Sequence, residues 1–190
     1  MNICVFGASS TQIDARYIKA TETMGEAMAA AKHALVYGAG GSGLMGAVAR
    51  GMTRGGGHIT GVVPSFLKVD GILYDRCDEI VYTDTMRQRK QIMEERSDAF
   101  VVTPGGIGTY EEFFEIYTLK QLGRHDKPIV LFNIDGYFDP LLAMLSFTVK
   151  EKFMQPSCLQ LYSVATTPQE VLEQLATTRC SADIEQTKYV

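Results

Sequence analysis

Several absences narrow what this chain can do before any motif is read. Its four cysteines, Cys4, Cys77, Cys158 and Cys180, lie far apart and include no Cys-x-x-Cys. Neither a metal site nor a disulfide framework is expected from them. The three histidines, His33, His58 and His125, form no triad or metal-ligand spacing. No serine stands in Gly-x-Ser-x-Gly, so an α/β-hydrolase triad has no support. No apolar run approaches the ~20 residues of a membrane span. The first residues, Met1-Asn2-Ile3-Cys4-Val5-Phe6, lack the basic region and long apolar core of a signal peptide. A cytoplasmic protein with reduced thiols and no membrane partner is the expectation. Excess positive charge is also missing: 18 Lys and Arg against 22 Asp and Glu leave a net charge of −4. That removes the electrostatic reason to expect nucleic acid as a partner.

What is present is an alternation of short β-rich runs and longer helical patterns. Strands are expected at Asn2–Phe6, Ala34–Tyr37, His58–Val63, Glu79–Tyr82, Ala99–Val102, Pro128–Phe132 and Leu161–Val164. Helices are expected at Asp14–Lys32, Leu44–Arg54, Met86–Arg96, Thr109–Leu122, Phe138–Phe153 and Pro168–Thr177. Such alternation implies an α/β three-layer sandwich: a mostly parallel central sheet with helices on both faces. The length of 190 residues fits one domain, over about 1–180, with a polar C-terminal tail at 181–190.

Sheets of this kind bind ligands beyond the carboxyl ends of their strands, and three small-residue turns fall there. They are Gly7-Ala8-Ser9-Ser10, Gly38-Ala39-Gly40-Gly41-Ser42-Gly43 and Pro104-Gly105-Gly106-Ile107-Gly108-Thr109. The third is the most informative. An apolar strand breaks at a glycine cluster and re-forms as a helix, which leaves backbone N–H groups free at a helix start. Those groups and the helix dipole favour an anion, usually phosphate. Glu112 follows Gly108 by four residues, about 6 Å along the axis, a reach that suits a sugar attached to the phosphate. Gly40, Gly43 and Ser9 of the other turns are expected to line the same ligand. Gly38-x-Gly40-x-x-Gly43 matches a dinucleotide fingerprint, but the acidic ribose-binding residue ~20 positions on is missing. Gly43-Leu44-Met45 also lacks the Lys-Ser/Thr of a P-loop.

The cluster Met86-Arg87-Gln88-Arg89-Lys90 opens a helix. Met86, Arg89, Lys90 and Met93 share one face at spacings i, i+3, i+4 and i+7. Arg89 therefore lies on or beside the inward stripe and needs an anionic partner there. A substrate phosphate, a substrate carboxylate or Glu112 could supply it. Lys90 has a freer path to solvent. Glu111 and Glu115 read as compensation of the helix dipole.

Taken together, these motifs resemble the LOG ("lonely guy") family of cytokinin-activating phosphoribohydrolases, whose members have often been labelled lysine decarboxylases. The family's Pro-Gly-Gly-x-Gly-Thr-x-x-Glu stands complete at Pro104–Glu112. Its Arg-Lys pair stands at Arg89-Lys90. Its Tyr-Gly-Gly-Gly-x-x-Gly-Leu-Met-Gly loop stands at Tyr37–Gly46, with Ala39 in place of the middle glycine. The resemblance spans roughly residues 1–178.

The resemblance implies a Rossmann-like homodimer without a cofactor. Its activity would be hydrolysis of the N-glycosidic bond of a nucleoside 5′-monophosphate, a cytokinin riboside 5′-monophosphate or AMP. By the same resemblance, Arg89 and Glu112 are the catalytic positions, and Lys90, Gly105, Gly106, Ile107, Gly108, Thr109 and Thr118 bind substrate. N-glycoside cleavage passes through an oxocarbenium-like sugar, by analogy with O-glycosidases, so a carboxylate beside the ribose is physically apt. Arg89 is expected to keep Glu112 ionised. The alternative is a non-catalytic nucleotide- or molybdopterin-binding protein of the same fold. A decarboxylase would need a lysine placed for a pyridoxal phosphate Schiff base, and no lysine here stands in such a setting.

Overall fold

The computed structural model describes residues 1–68 and 71–177. The expected domain limit near residue 180, the tail at 181–190 and Cys180 lie outside the described residues. Seven strands form one sheet: β1 (Asn2–Phe6), β2 (Ala34–Tyr37), β3 (Ile59–Pro64), β4 (Glu79–Thr83), β5 (Ala99–Val102), β6 (Ile129–Phe132) and β7 (Ser163–Ala165). The spatial order is β4-β3-β2-β1-β5-β6-β7, and every neighbouring pair is parallel. The helices are α1 (Ala15–Ala30), α2 (Gly43–Arg54), α3 (Met86–Glu95), α4 (Ile107–Gln121), α5 (Asp139–Lys150) and α6 (Pro168–Thr177).

Strand alternation divides the core into two layers. Ile3, Val5, Leu35, Tyr37, Val101 and Phe132 point to the face covered by α1, α2 and α6, where Met24, Met28, Met52 and Leu175 meet them. Cys4, Phe6, Val36, Phe100, Val102 and Leu131 point the other way, onto Met93 of α3, Phe113 and Tyr117 of α4, and Leu141 and Leu145 of α5. Both faces are covered, which is why the central strands read as continuous apolar runs.

The strand order reverses between β1 and β5. Ligands of open parallel sheets bind in the crevice at such a switch point. The two loops that leave the carboxyl ends there are Gly7–Asp14, after β1, and Thr103–Gly106, after β5.

Element ends differ from expectation where capping decides them. α4 begins at Ile107 rather than Thr109, because Gly106 takes the N-cap position and Tyr110 N–H already donates to Gly106 O. α5 ends at Lys150 rather than Phe153, because Lys152 turns left-handed (φ 64°). The last strand is Ser163–Ala165, shifted from the expected Leu161–Val164.

Candidate active site

The β1 and β5 loops are zipped together by their backbones. Ala8 N–H donates to Pro104 O at 3.0 Å, and Thr103 Oγ1 donates to Phe6 O at 2.9 Å. A Cβ at Gly7 would overlap Thr103 Oγ1, and one at Gly105 would overlap Thr109 Oγ1. Both glycines are therefore required by close packing. Tyr137, in the turn before α5, donates from its hydroxyl to Gly105 O at 2.6 Å and pins that peptide from behind.

The rim side of the same turn is open. Gly106, Ile107 and Gly108 are exposed, and a Cβ at Gly106 or Gly108 would meet nothing within 4 Å. The N–H groups of Ile107, Gly108 and Thr109 precede the first intrahelical bond of α4, which Tyr110 makes. They form an uncapped helix N-terminus at the crevice, with no side-chain cap. The dipole and these donors together suit an anion.

The glycine-rich turn before α2 behaves differently. Leu44 and Met45, at the start of α2, donate their N–H groups to Ala8 O at 2.8 and 3.2 Å. Gly43 is buried, left-handed (φ 58°), and pressed against the backbone of Ala8 to Ser10. Gly40 is half-buried in an isolated bridge with Leu73, and Gly41 N–H donates to Ile72 O at 2.8 Å. These glycines do backbone work, and the N-terminus of α2 is satisfied from within. Ser9 is exposed on the β1 loop.

Two side chains complete the crevice. Arg89, from the first turn of α3, lies with Nη2 3.7 Å from Glu112 Oε1 on the second turn of α4. Their side chains are 15% and 13% exposed, so the pair is largely withdrawn from water. A Cβ on Gly38, at the end of β2, would overlap the Arg89 guanidinium. Gly38 thus makes the space in which Arg89 lies, a role that sequence reasoning missed. Arg89 Nε is buried without a partner among the described residues, a donor left over for a ligand.

Glu112 corrects one expectation. The Arg89 charge does favour the carboxylate, but burial outweighs it and the pKa is raised to about 7; Glu111 and Glu115 add to the rise and Lys90 opposes it. Arg89 alone does not keep this group fully ionised at neutral pH.

Lys90, the next residue on α3, forms ion pairs with Glu111 and, at 2.8 Å, with Glu115. Burial pulls its pKa down, yet the bonds from Glu111 and Glu115 raise it above the ordinary value. Thr118 is exposed and lies eleven residues beyond Ile107, about 16 Å along α4.

The site therefore combines an amide-lined anion cradle, a guanidinium and a carboxylate able to change protonation near neutral pH. This set can hold a phosphorylated molecule and stabilise positive charge next to the phosphate.

Comparison with known proteins points the same way. Residues 45–175 match a family model described as "Possible lysine decarboxylase". A rice protein named "Probable cytokinin riboside 5'-monophosphate phosphoribohydrolase LOGL2" is 41% identical over 173 residues, 91% of this chain and 71% of its own. The Arabidopsis thaliana protein named cytokinin riboside 5'-monophosphate phosphoribohydrolase LOG3 is 38% identical over 173 residues, 91% of this chain and 80% of its own. Among solved structures, the molybdenum cofactor carrier protein of Chlamydomonas reinhardtii superposes with a TM-score of 0.72 at 21% identity, covering 94% of this chain and 97% of its own. The molybdenum cofactor binding protein of Rippkaea orientalis gives 0.69 at 21% identity, covering 93% and 94%. These two structures bear on the fold alone.

Proposed function

Because the chain belongs to the LOG family, the one that the "Possible lysine decarboxylase" model describes, we propose that it hydrolyses the N-glycosidic bond of a nucleoside 5′-monophosphate. The products are the free base and ribose 5-phosphate, and the substrate is a cytokinin riboside 5′-monophosphate or AMP. The observation that carries this reading is the withdrawn Arg89–Glu112 pair, placed one to two turns from an open helix N-terminus.

In this reading the 5′-phosphate lies on the N–H groups of Gly106 to Thr109. Arg89 offers its unpartnered Nε and remaining N–H groups to the phosphate or to the base. The C1′–N bond breaks with its electron pair leaving on the base, and positive charge develops on the ribose. The Glu112 carboxylate faces that charge and orients the incoming water. As C1′–O forms, the water proton passes to Glu112, whose pKa of about 7 suits a general base near neutral pH; the departing base takes up a proton from solvent, to which Glu112 afterwards releases its own. The expected pH–rate profile rises with pH through about 7 as the carboxylate forms.

The curated relatives share the family's activity by name, and the crevice supplies matching chemistry. Incubation with a panel of nucleoside monophosphates and chromatography of the released base tests the reading. Base and ribose 5-phosphate in equal amounts are expected. Tight AMP binding without base release would instead favour a non-catalytic nucleotide carrier.

We also infer a cytoplasmic homodimer. Cys4, Cys77 and Cys158 are free thiols, which suits a reducing compartment. Met144 and Phe147 of α5 and the following Phe153 are exposed at 47%, 60% and 87%, an apolar surface that a second copy would cover. Sedimentation should give twice the chain mass of 20.9 kDa; a monomer at micromolar concentration would remove the inference.

A further inference from the structure

We propose that Lys127 and His125 are positioning residues: their loop ties α3 to α4 behind the crevice and so sets the gap in which Arg89 meets Glu112. This rests on the hydrolase reading above.

The loop Gly123-Arg124-His125-Asp126-Lys127-Pro128 joins α4 to β6. It lies at the amino ends of the strands, away from the crevice at their carboxyl ends. Its polar groups nonetheless go to the two helices that carry the site. Lys127 Nζ donates to Glu94 O, in the last turn of α3, at 2.7 Å. A cation on a helix-terminal carbonyl also complements the helix dipole. His125 Nε2 donates to Ile116 O of α4 at 2.8 Å, and Lys127 N–H donates to His125 Nδ1 at 3.2 Å. With one ring nitrogen donating and the other accepting, His125 is the neutral imidazole, and burial lowers its pKa in the same sense. Lys120 of α4, itself buried, closes the loop by donating from Nζ to Lys127 O at 2.9 Å.

The two carbonyls held in this way belong to residues that stand behind Glu112. Glu94 and Ile116 line a cavity of about 10 Å³ with Phe6, Lys90, Glu112 and Glu115, room for about one water. Phe6 stacks on Phe100 with 6.1 Å between ring centroids. Phe100 in turn meets the His125 ring at 5.5 Å and the Lys127 ammonium at 5.9 Å. Packing is therefore continuous from the loop to the wall of the cavity. Met93, Ile92 and the ion pairs of Lys90 also hold α3. Lys127 adds a tie at its carboxyl end, five residues beyond Arg89 and about 7.5 Å along the axis.

Closing this gap keeps water from Glu112. Burial is the chief cause of its raised pKa, so a wider gap should lower it. The charged and titratable groups that face Glu112 are Arg89, Lys90 and Glu94 of α3, Glu111 and Glu115 of α4, and Cys4 of β1. Lys127 is a cation, and removing a cation by its charge alone would move a carboxyl pKa up. The direction of the change therefore separates a positioning role from a charge effect.

The test is steady-state kinetics on AMP against pH for Lys127→Met, Lys127→Arg, His125→Phe and Val171→Ala. In Lys127→Met, kcat should fall about tenfold and the acidic limb should move down by about half a unit or more, with KM changed less than about threefold. Lys127→Arg should recover most of kcat and return the limb to about 7. His125→Phe keeps a ring against Phe100 but loses both hydrogen bonds, and its limb should move the same way. Val171→Ala, buried in α6 on the opposite face of the sheet, should destabilise the fold and leave the limb in place. A limb unmoved or moved upward in Lys127→Met, or in His125→Phe where Lys127→Met does not fold, would overturn the proposal. An equal shift in Val171→Ala would overturn it as well. A measurement without turnover stands beside these. The stability that Glu112→Gln adds at pH 8, read by chemical denaturation, should be smaller in the Lys127→Met background than in the wild type, and an unchanged gain would overturn the proposal. Absence of base release by the wild type would instead defeat the hydrolase reading, while the denaturation arm still decides on the tie.

Discussion

Glu112 is the residue whose chemistry the fold most alters. Its pKa is raised from 4.5 to about 7, chiefly by burial. The folded state then binds a proton more tightly than the unfolded chain. The associated stability is fully present below about pH 4.5 and is lost as pH rises through 7. Glu112→Gln mimics the protonated form. It should therefore be more stable than wild type at pH 8, on the order of 3 kcal/mol, with the difference vanishing by pH 4. Chemical denaturation at the two pH values measures this. The glycines of the cradle divide in the same residue-by-residue way. Gly105→Ala should destabilise the fold, because its Cβ would overlap Thr109. Gly106→Ala and Gly108→Ala should leave the melting temperature within about 3 °C of wild type, since their Cβ atoms meet open space. Those methyl groups would stand where the phosphate binds, so KM for AMP should rise at least tenfold.

Ala39 shows how one departure from a family pattern is accommodated between elements. It holds a left-handed backbone (φ 59°) that favours glycine, and it is fully buried. Its methyl group would stand 2.6 Å from a Cβ at Gly61 in β3. Gly61→Ala should thus cost about 1–3 kcal/mol in the native background. It should cost much less with Ala39→Gly, which also relieves about 1 kcal/mol of left-handed strain. A double-mutant cycle with a coupling above about 1 kcal/mol is expected. At this scale the strands were legible, because a two-sided sheet writes continuous apolar runs such as Ala99–Val102 and Ile129–Phe132. Helix ends were less so. Ile107-Gly108 looks like loop, and only the cap at Gly106 shows that α4 already includes it. Gly40 and Gly43 looked like ligand contacts, yet the carbonyl of Ala8 occupies the start of α2. No local pattern announces that contact, because it joins two loops through the tertiary fold. The same holds for Gly38 and Tyr137. Each acts on the site through an element that only folding brings alongside.

Across the whole molecule, topology gathers the site. The reversal between β1 and β5 sets two loops at one crevice, and α3 delivers Arg89 to it from the far side of β2. The sequence announced both ends of this arrangement, Arg89 and Pro104–Glu112. It could not announce the depth of burial that moves Glu112, since burial is a property of the closed crevice. The proposed function requires that the crevice recognise a phosphate and cleave the glycosidic bond beside it. It is tested most directly by comparing kcat/KM for AMP and adenosine in the wild type, Arg89→Ala and Glu112→Gln, with released adenine as the readout. The expected result is at least a hundredfold preference for AMP in the wild type and loss of at least a hundredfold in both variants. Equal rates on AMP and adenosine, or variants that release adenine as fast as the wild type, would contradict it.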